Sequence, residues 1–323
     1  MRNALIALAG VAFLSAQALA QAPDAAPRLL TPRTAYRLLE GATATLSFVL
    51  NAPPDSIEIE ILDSAEGVVA RLQPDNLQPG LNRLDWDLRY EPPRLVALRT
   101  TPPENPHIWE EPRFQGSDTR PVAHKGIEAA EFGPIAAPGR YTVRLIVDGK
   151  AYTQPLEIAL PPASHGTAAD IQSSVRLQLK VREDISAVSD MTNQIEWLRK
   201  QIEDQRQLHP AADAMEQLDR KLQDVEFQLI SHSDALSDEK YDSEAAQLYL
   251  NFLWLNGSLG TGTGKYSGGA DYAPTETAIG LVHDLENQLR AVQEQYRKLM
   301  DVDVPAYNRS AQAPGLTTLK VTK

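Results

Sequence analysis

The stretch GTGTGKYSGG, Gly260 to Gly269, has the composition of a phosphate cradle: glycines that let backbone N–H groups approach an anion, and a lysine to pair with it. Its spacing does not complete one. A Walker-type loop needs GxxxxGK followed by Ser or Thr. Here Leu259 stands where the first glycine belongs, and Tyr266 where the Mg²⁺-binding hydroxyl belongs. The dinucleotide pattern GxGxxG fails at Lys265. The run reads better as an interhelix connection, ended by Pro274 and capped by Thr275, with Tyr266 and Tyr272 as candidate contact residues. The histidines at 107, 124, 165, 209, 232 and 283 form no HExxH and no close HxH pair, so neither a metal nor a cofactor is expected. His232 falls in a core-facing seam and reads as structural. Asp85 and Asp87 share a strand face, but two carboxylates beside Arg83 are too few for Ca²⁺. Glu110 and Glu111 have the residue types of a glycosidase acid pair, which would need two carboxylates facing each other across a cleft. Ser164-His165 is not a nucleophile elbow, and no GxSxG occurs. No residue is therefore nominated as catalytic.

The remaining candidates, His107, Trp109 and Phe114, lie in a proline-rich segment from Tyr90 to Pro138. A connection this long is usually functional or disordered. Its aromatic side chains could anchor a protein partner or a sugar. Alternatively the segment drapes over its own domain and seals a sheet edge, as surface loops commonly do.

Two kinds of element must hold these segments. Before residue 165 the apolar pattern has a period of two. Leu46, Phe48 and Leu50 share one face, as do Ile57, Ile59 and Ile61, then Leu84, Trp86 and Leu88, then Tyr141, Val143, Leu145 and Val147. Val68 to Leu72 is a further short strand, Tyr36 to Leu39 a possible one, and Asp148-Gly149 turns the chain into a strand over Tyr152 to Leu160. The pattern predicts a β-sandwich of immunoglobulin-like or fibronectin-like type over 34–162, with Trp86 as a core anchor.

After residue 165 the period becomes helical. Val181, Val188, Ile195 and Ile202 recur every seventh position, Leu177, Met191 and Leu198 fill the complementary seam, and Asp184 interrupts it. That helix runs from about 168 to 208 and spans about 60 Å, stopped by His209-Pro210. Further stripes follow at Met215 to Leu236, Ala245 to Leu255 and Ala278 to Leu299. Such narrow stripes need partners, which predicts an all-α antiparallel helical bundle or coiled coil over 163–303. Residues 304–323 read as a flexible tail and 21–33 as a linker.

The N-terminus reads as a signal peptide cut after Ala20: Arg2, an apolar run from Ala4 to Leu14, and the small-x-small step Ala18-Leu19-Ala20. The expected location is periplasmic or secreted, with no membrane span in the mature chain. The chain has no cysteine, so disulfides and thiolate chemistry are excluded. A formal net charge of -12 argues against nucleic acid and anionic lipid as partners.

The segments GLNRLDWDLRY (Gly80 to Tyr90), GPIAAPGRYTVRLIVDGKAYTQPLEI (Gly133 to Ile158), TAADIQSSVRLQLKVREDIS (Thr167 to Ser186) and YAPTET (Tyr272 to Thr277), in that order, are similar to the C-terminal region of secreted bacterial sortilin-type or BNR-repeat β-propeller proteins, often labelled glycosyl hydrolases. The resemblance implies an immunoglobulin-like domain followed by a helical appendage. The propeller, with its SxDxGxTW Asp-boxes, has no counterpart in this sequence, so no catalytic residue carries over. The expected function is that of a non-catalytic accessory protein. It would bind a protein partner, such as a separately encoded propeller, or associate with itself. The alternative is glycan binding or processing through the aromatic loop.

Overall fold

The computed structural model describes residues 26–37, 41–102, 105–122, 132–162, 164, 166–206, 213–231, 245–261, 271–311 and 317–321. The stretch expected to be a signal peptide, His124, His165, His209, His232 and Tyr266 lie outside these residues. The chain is of the α+β class, with mixed β-sheets followed by helices.

One sheet has the order β1 (Arg28–Leu29), β3 (Ala44–Leu50), β6 (Gly80–Trp86). The other has the order β2 (Ala35–Tyr36), β10 (Lys150–Ala159), β9 (Gly139–Val147), β4 (Ile57–Leu62), β5 (Val68–Leu72). Its pairs are antiparallel except β2 with β10. The alternating residues do what their period demands: Leu46 and Phe48 from one sheet and Ile59, Ile61, Val143 and Leu145 from the other enter a single apolar core. Each such side chain, fully buried, contributes roughly 1.5 to 3 kcal/mol. Trp86 is buried among them, edge-on to Tyr141 at 6.3 Å, and its indole N–H donates to the Arg89 carbonyl at 2.9 Å. The strand expected to reach Leu88 ends at Trp86. Leu88 adopts a left-handed φ of 60°, which turns the chain while keeping its side chain in the core. The expected linker 21–33 also contains β1, whose Arg28 and Leu29 pair with Val49 and Phe48.

In the helical half, α1 spans Ala168–Arg206 and α2 Asp213–Leu229. α3 spans Leu248–Asn256 and runs into a wider turn over Gly257–Thr261. α4 spans Glu276–Lys298, capped by the Thr275 hydroxyl, which accepts from the Ala278 N–H at 3.1 Å. The heptad residues Val181, Val188, Ile195 and Ile202 are all buried against the other helices. α3 corrects the expectation of a narrow stripe. Leu248, Tyr249, Leu250, Phe252, Leu253 and Leu255 are all buried, so this helix is enclosed on most sides.

The last residues correct the expectation of a flexible tail over 304–323. Val304–Ser310 forms α5, and residues 317–321 lie along α1. The Trp197 indole N–H donates to the Lys320 carbonyl at 3.0 Å, and Leu319 enters the helical core.

Candidate functional site

The described residues of the proline-rich segment divide between the two halves: Phe132 to Pro138 lies against the sheets, where Ile135 enters the β core and bridges to Arg89, whereas residues 94–122 lie on the helical half. After Glu91, whose N–H still donates to the Val69 carbonyl of β5 at 3.0 Å, the chain crosses to α1, and β7 (Ala97–Leu98) pairs antiparallel with β8 (Arg120–Pro121) around a longer insertion. Val96, Leu98 and Val122 belong to the helical core. Polar contacts fasten the crossing strand along one face of α1. The Arg94 guanidinium forks onto Asp190 at 2.8 and 2.7 Å, the Ala97 N–H donates to Asn193 at 2.7 Å, and the Thr101 N–H donates to Glu203 at 2.9 Å. Acceptors at 190, 193, 196 and 203 recur at helical spacing; the extended strand meets the first with the Arg94 side chain and the others with the backbone N–H groups of Ala97, Arg99, Thr100 and Thr101.

At the centre of this attachment is a buried charged network. Glu196 is 1 % exposed and accepts from the N–H groups of Arg99 and Thr100 and from the Thr100 hydroxyl at 2.7 Å. Arg199, one turn along, meets Glu196 at 3.4 Å, Asp219 of α2 at 3.0 Å, and Glu226 of α2. Arg206 meets Asp219 from the other side at 3.1 Å. Burial opposes ionisation of Glu196, but Arg199, a hydrogen bond from Glu226 and the two backbone N–H groups outweigh it and hold its carboxyl below the ordinary range. Glu226 is also 1 % exposed. Burial, then the charge on Glu196, push its carboxyl well above the ordinary range. The two carboxyls are thus shifted in opposite directions: Glu196, which holds the strand, is the one favoured as the anion, and Glu226 the one favoured with its proton. Burial acts against the Arg199 cation, and the carboxylates of Glu226, Glu196 and Asp219 raise its pKa regardless. The network has carboxylates and a cation but no open face for a substrate, so its chemistry is attachment.

The two halves meet at a second point. The Arg37 guanidinium, buried, donates to the carbonyls of Ile135 and Ala136 at 2.6 and 2.9 Å and pairs with Asp271 at 3.1 Å. Gly166 lies so close that a Cβ there would fall 1.6 Å from the Asp271 carbonyl oxygen. Asp271 stands five residues before α4, so this contact holds the chain on its way into that helix.

Between α3 and α4 is an open groove with a volume of about 640 Å³. Asn251, Trp254 and Leu255 line one side, and Ala278, Leu281 and Leu285 the other. Trp254 is 62 % exposed and Leu281 49 % exposed. Trp254 is the outward residue of a helix that is otherwise buried. The turn after α3 is held by Gln178 of α1, whose amide donates to the Leu259 carbonyl at 3.0 Å. Polar residues, Thr275, Thr277, Asp284 and Gln288, surround the apolar floor.

The residues singled out from the sequence occupy three places. Trp109 and Phe114 lie in the hairpin insertion, edge to face at 6.4 Å, with the Trp109 indole N–H donating to the Thr101 hydroxyl at 3.0 Å. His107 is exposed and pairs with Glu110 at 2.9 Å. Tyr272 is 55 % exposed at the entry to α4. The structure brings the first two together but does not join them to Tyr272. Trp254 and Leu281 were missed. Trp254 sits in the apolar run LYLNFLWLN, where an exposed tryptophan is indistinguishable from a core one until the neighbours are placed. No helix among the described residues is long and apolar enough to cross a membrane. Compared with known proteins, the chain matches no family model, no curated protein and no solved structure.

Proposed function

We propose that this chain is an exported, non-catalytic accessory protein whose helical half docks an amphipathic helix of a partner protein in the groove between α3 and α4. The observation that carries the reading is the exposure of Trp254 beside Leu281 on a floor of apolar side chains. Tryptophan is the residue most often dominant at a docking centre, and an apolar centre with a polar rim is the anatomy of an interface. The α4 side of the groove runs from Thr277 to Gln288, a length of about 16 Å at 1.5 Å per residue, which suits a helix of about three turns. Asp284 at the rim calls for a Lys or Arg on the occupant.

The finer architecture belongs to the same reading. Two sheets contributing to one core support an immunoglobulin-like sandwich, and amphipathic helices around buried α3 support a bundle. The segments that resemble the C-terminal region of propeller proteins favour a separately encoded β-propeller protein as the partner. The N-terminal pattern ending at Ala20 favours export.

The test is a photo-crosslinking residue placed at Leu281 in the natural host. A single heavier adduct, lost in the Trp254→Ser background and unaffected by Leu81→Ser on the β half, supports the reading. An adduct of twice the chain mass identifies a second copy and rejects the hetero-partner. No adduct rejects the groove.

A further inference from the structure

We propose that a pocket on the outer face of the three-stranded sheet, between Arg33 and Arg83, binds an acidic saccharide. The pocket has a volume of about 480 Å³ and is independent of the α3–α4 groove. Its floor is the outward edge of β3, where Thr43, Thr45 and Ser47 alternate with the core residues Ala44 and Leu46. Arg83 of β6 pairs across the sheet with Ser47 and stands on one side. The segment from Leu30 to Ala35, which carries the chain from β1 to β2, forms the other side and supplies Thr31 and Arg33.

Three features select the ligand class. First, the charged side chains lining the pocket are Arg33 and Arg83, in a chain of net charge -12; the nearby carboxylate of Asp85, on the same face of β6 as Arg83, is occupied by the Thr45 hydroxyl. Second, Arg33 and Arg83 make no ion pair or hydrogen bond with the described residues, whereas Arg37, Arg94, Arg144 and Arg199 are all paired with carboxylates. Two guanidiniums offered to one pocket present planar donor forks suited to a carboxylate or sulfate. Third, hydroxyl protons on the floor and wall are already committed. Thr45 donates to Asp85 at 2.6 Å, and Thr31 donates to Gln154 at 2.8 Å. Their oxygens retain acceptor capacity toward the hydroxyl donors of a sugar. The volume exceeds that needed for an inorganic anion and lies in the range of small-molecule sites. No aromatic ring lines it, so recognition works through the polar edges of the sugar.

Isothermal titration of the full chain with digalacturonate, a sulfated heparin disaccharide, cellobiose and inorganic sulfate tests the proposal. At least one acidic disaccharide should bind more than tenfold tighter than cellobiose. The comparison between the two acidic sugars tells which anion the forks prefer. Arg33→Ala and Arg83→Ala should each weaken binding about tenfold, a factor expected from losing a charge-assisted hydrogen bond. Arg83→Lys should retain part of it. Both arginines are exposed, so the melting temperature should stay within one or two degrees of the parent's, by an order-of-magnitude estimate. Trp254→Ser should bind as the parent does, which separates this site from the groove. Equal affinity for cellobiose, unchanged binding in both arginine variants, or sulfate alone binding as tightly as the disaccharides would each overturn the proposal.

Discussion

The carboxyls of Glu196 and Glu226 share one buried site and are shifted in opposite directions, and that difference predicts different tolerance to amide substitution. Glu226→Gln keeps a donor where the surroundings favour the protonated carboxyl, and should leave stability within about 1 kcal/mol of the parent in chemical denaturation. Glu196→Gln removes the anion that Arg199 and two backbone N–H groups require, and should cost about 3 kcal/mol. Equal effects would refute the assignment of the proton. Asp184 gives a prediction of opposite sign. Burial and the neighbouring Glu286 carboxylate raise its pKa from 3.8 to about 6, with Lys180 opposing. A carboxyl raised in the folded state binds its proton more tightly there than in the unfolded chain. Its ionisation thus erodes stability as pH rises from about 4 to about 6, and the loss persists above that. Asp184→Asn should therefore be more stable than the parent at pH 7, by about 1 kcal/mol once solvent screening is allowed for, and should flatten the pH dependence in that window. Melting curves at pH 4, 5, 6 and 7 read this directly. Asp184 was legible in the sequence as the break in a heptad seam. Glu196 was not: a glutamate beside Ile195 reads as a solvated flank, because the strand that buries it lies about a hundred residues earlier in the chain.

The strands and the long helix could be read from periodicity because their burial is local: the same face repeats every second or seventh residue, and each run is long enough to establish the repeat. The proline-rich crossing strand could not. Its attachment uses backbone N–H groups, which carry no residue signature, and its apolar contribution rests on Val96, Leu98 and Val122, too few and too spaced to show a period. α3 failed for the opposite reason, since a helix enclosed on most sides has no polar face to reveal its orientation. Two substitutions test the crossing strand as an element. Leu98→Ala should cost about 2 to 5 kcal/mol, the range for truncating a buried leucine, and should unfold the helical half more readily than the β half in hydrogen exchange. Gly166→Ala forces a Cβ into the Asp271 carbonyl and should separate the Arg37–Asp271 pair. Faster amide exchange at the start of α4 is the expected readout, and unchanged exchange there would show that the junction gives way elsewhere.

At the scale of the molecule, the crossing strand and the Arg37–Asp271 contact both tie the β half to the helical half. Arg182 of α1 adds a third link, stacking over the Tyr90 ring at 5.9 Å and donating to the Glu91 carbonyl at 3.1 Å. The Arg37–Asp271 link adjoins the approach to α4, and α1, held by the other two, meets α4 through the Lys180–Glu286 ion pair, so the groove is positioned relative to the sheets. A groove held in this way offers a preformed surface, so little ordering entropy opposes docking of a helix. The central claim is that Trp254 is covered in the protein's working state, and hydroxyl-radical footprinting tests it most directly. The account predicts rapid oxidation of Trp254 in the purified chain and protection of at least about fivefold, roughly the factor a single buried contact of 1 kcal/mol confers, in intact cells that make the protein. Equal oxidation of Trp254 in both settings would contradict it.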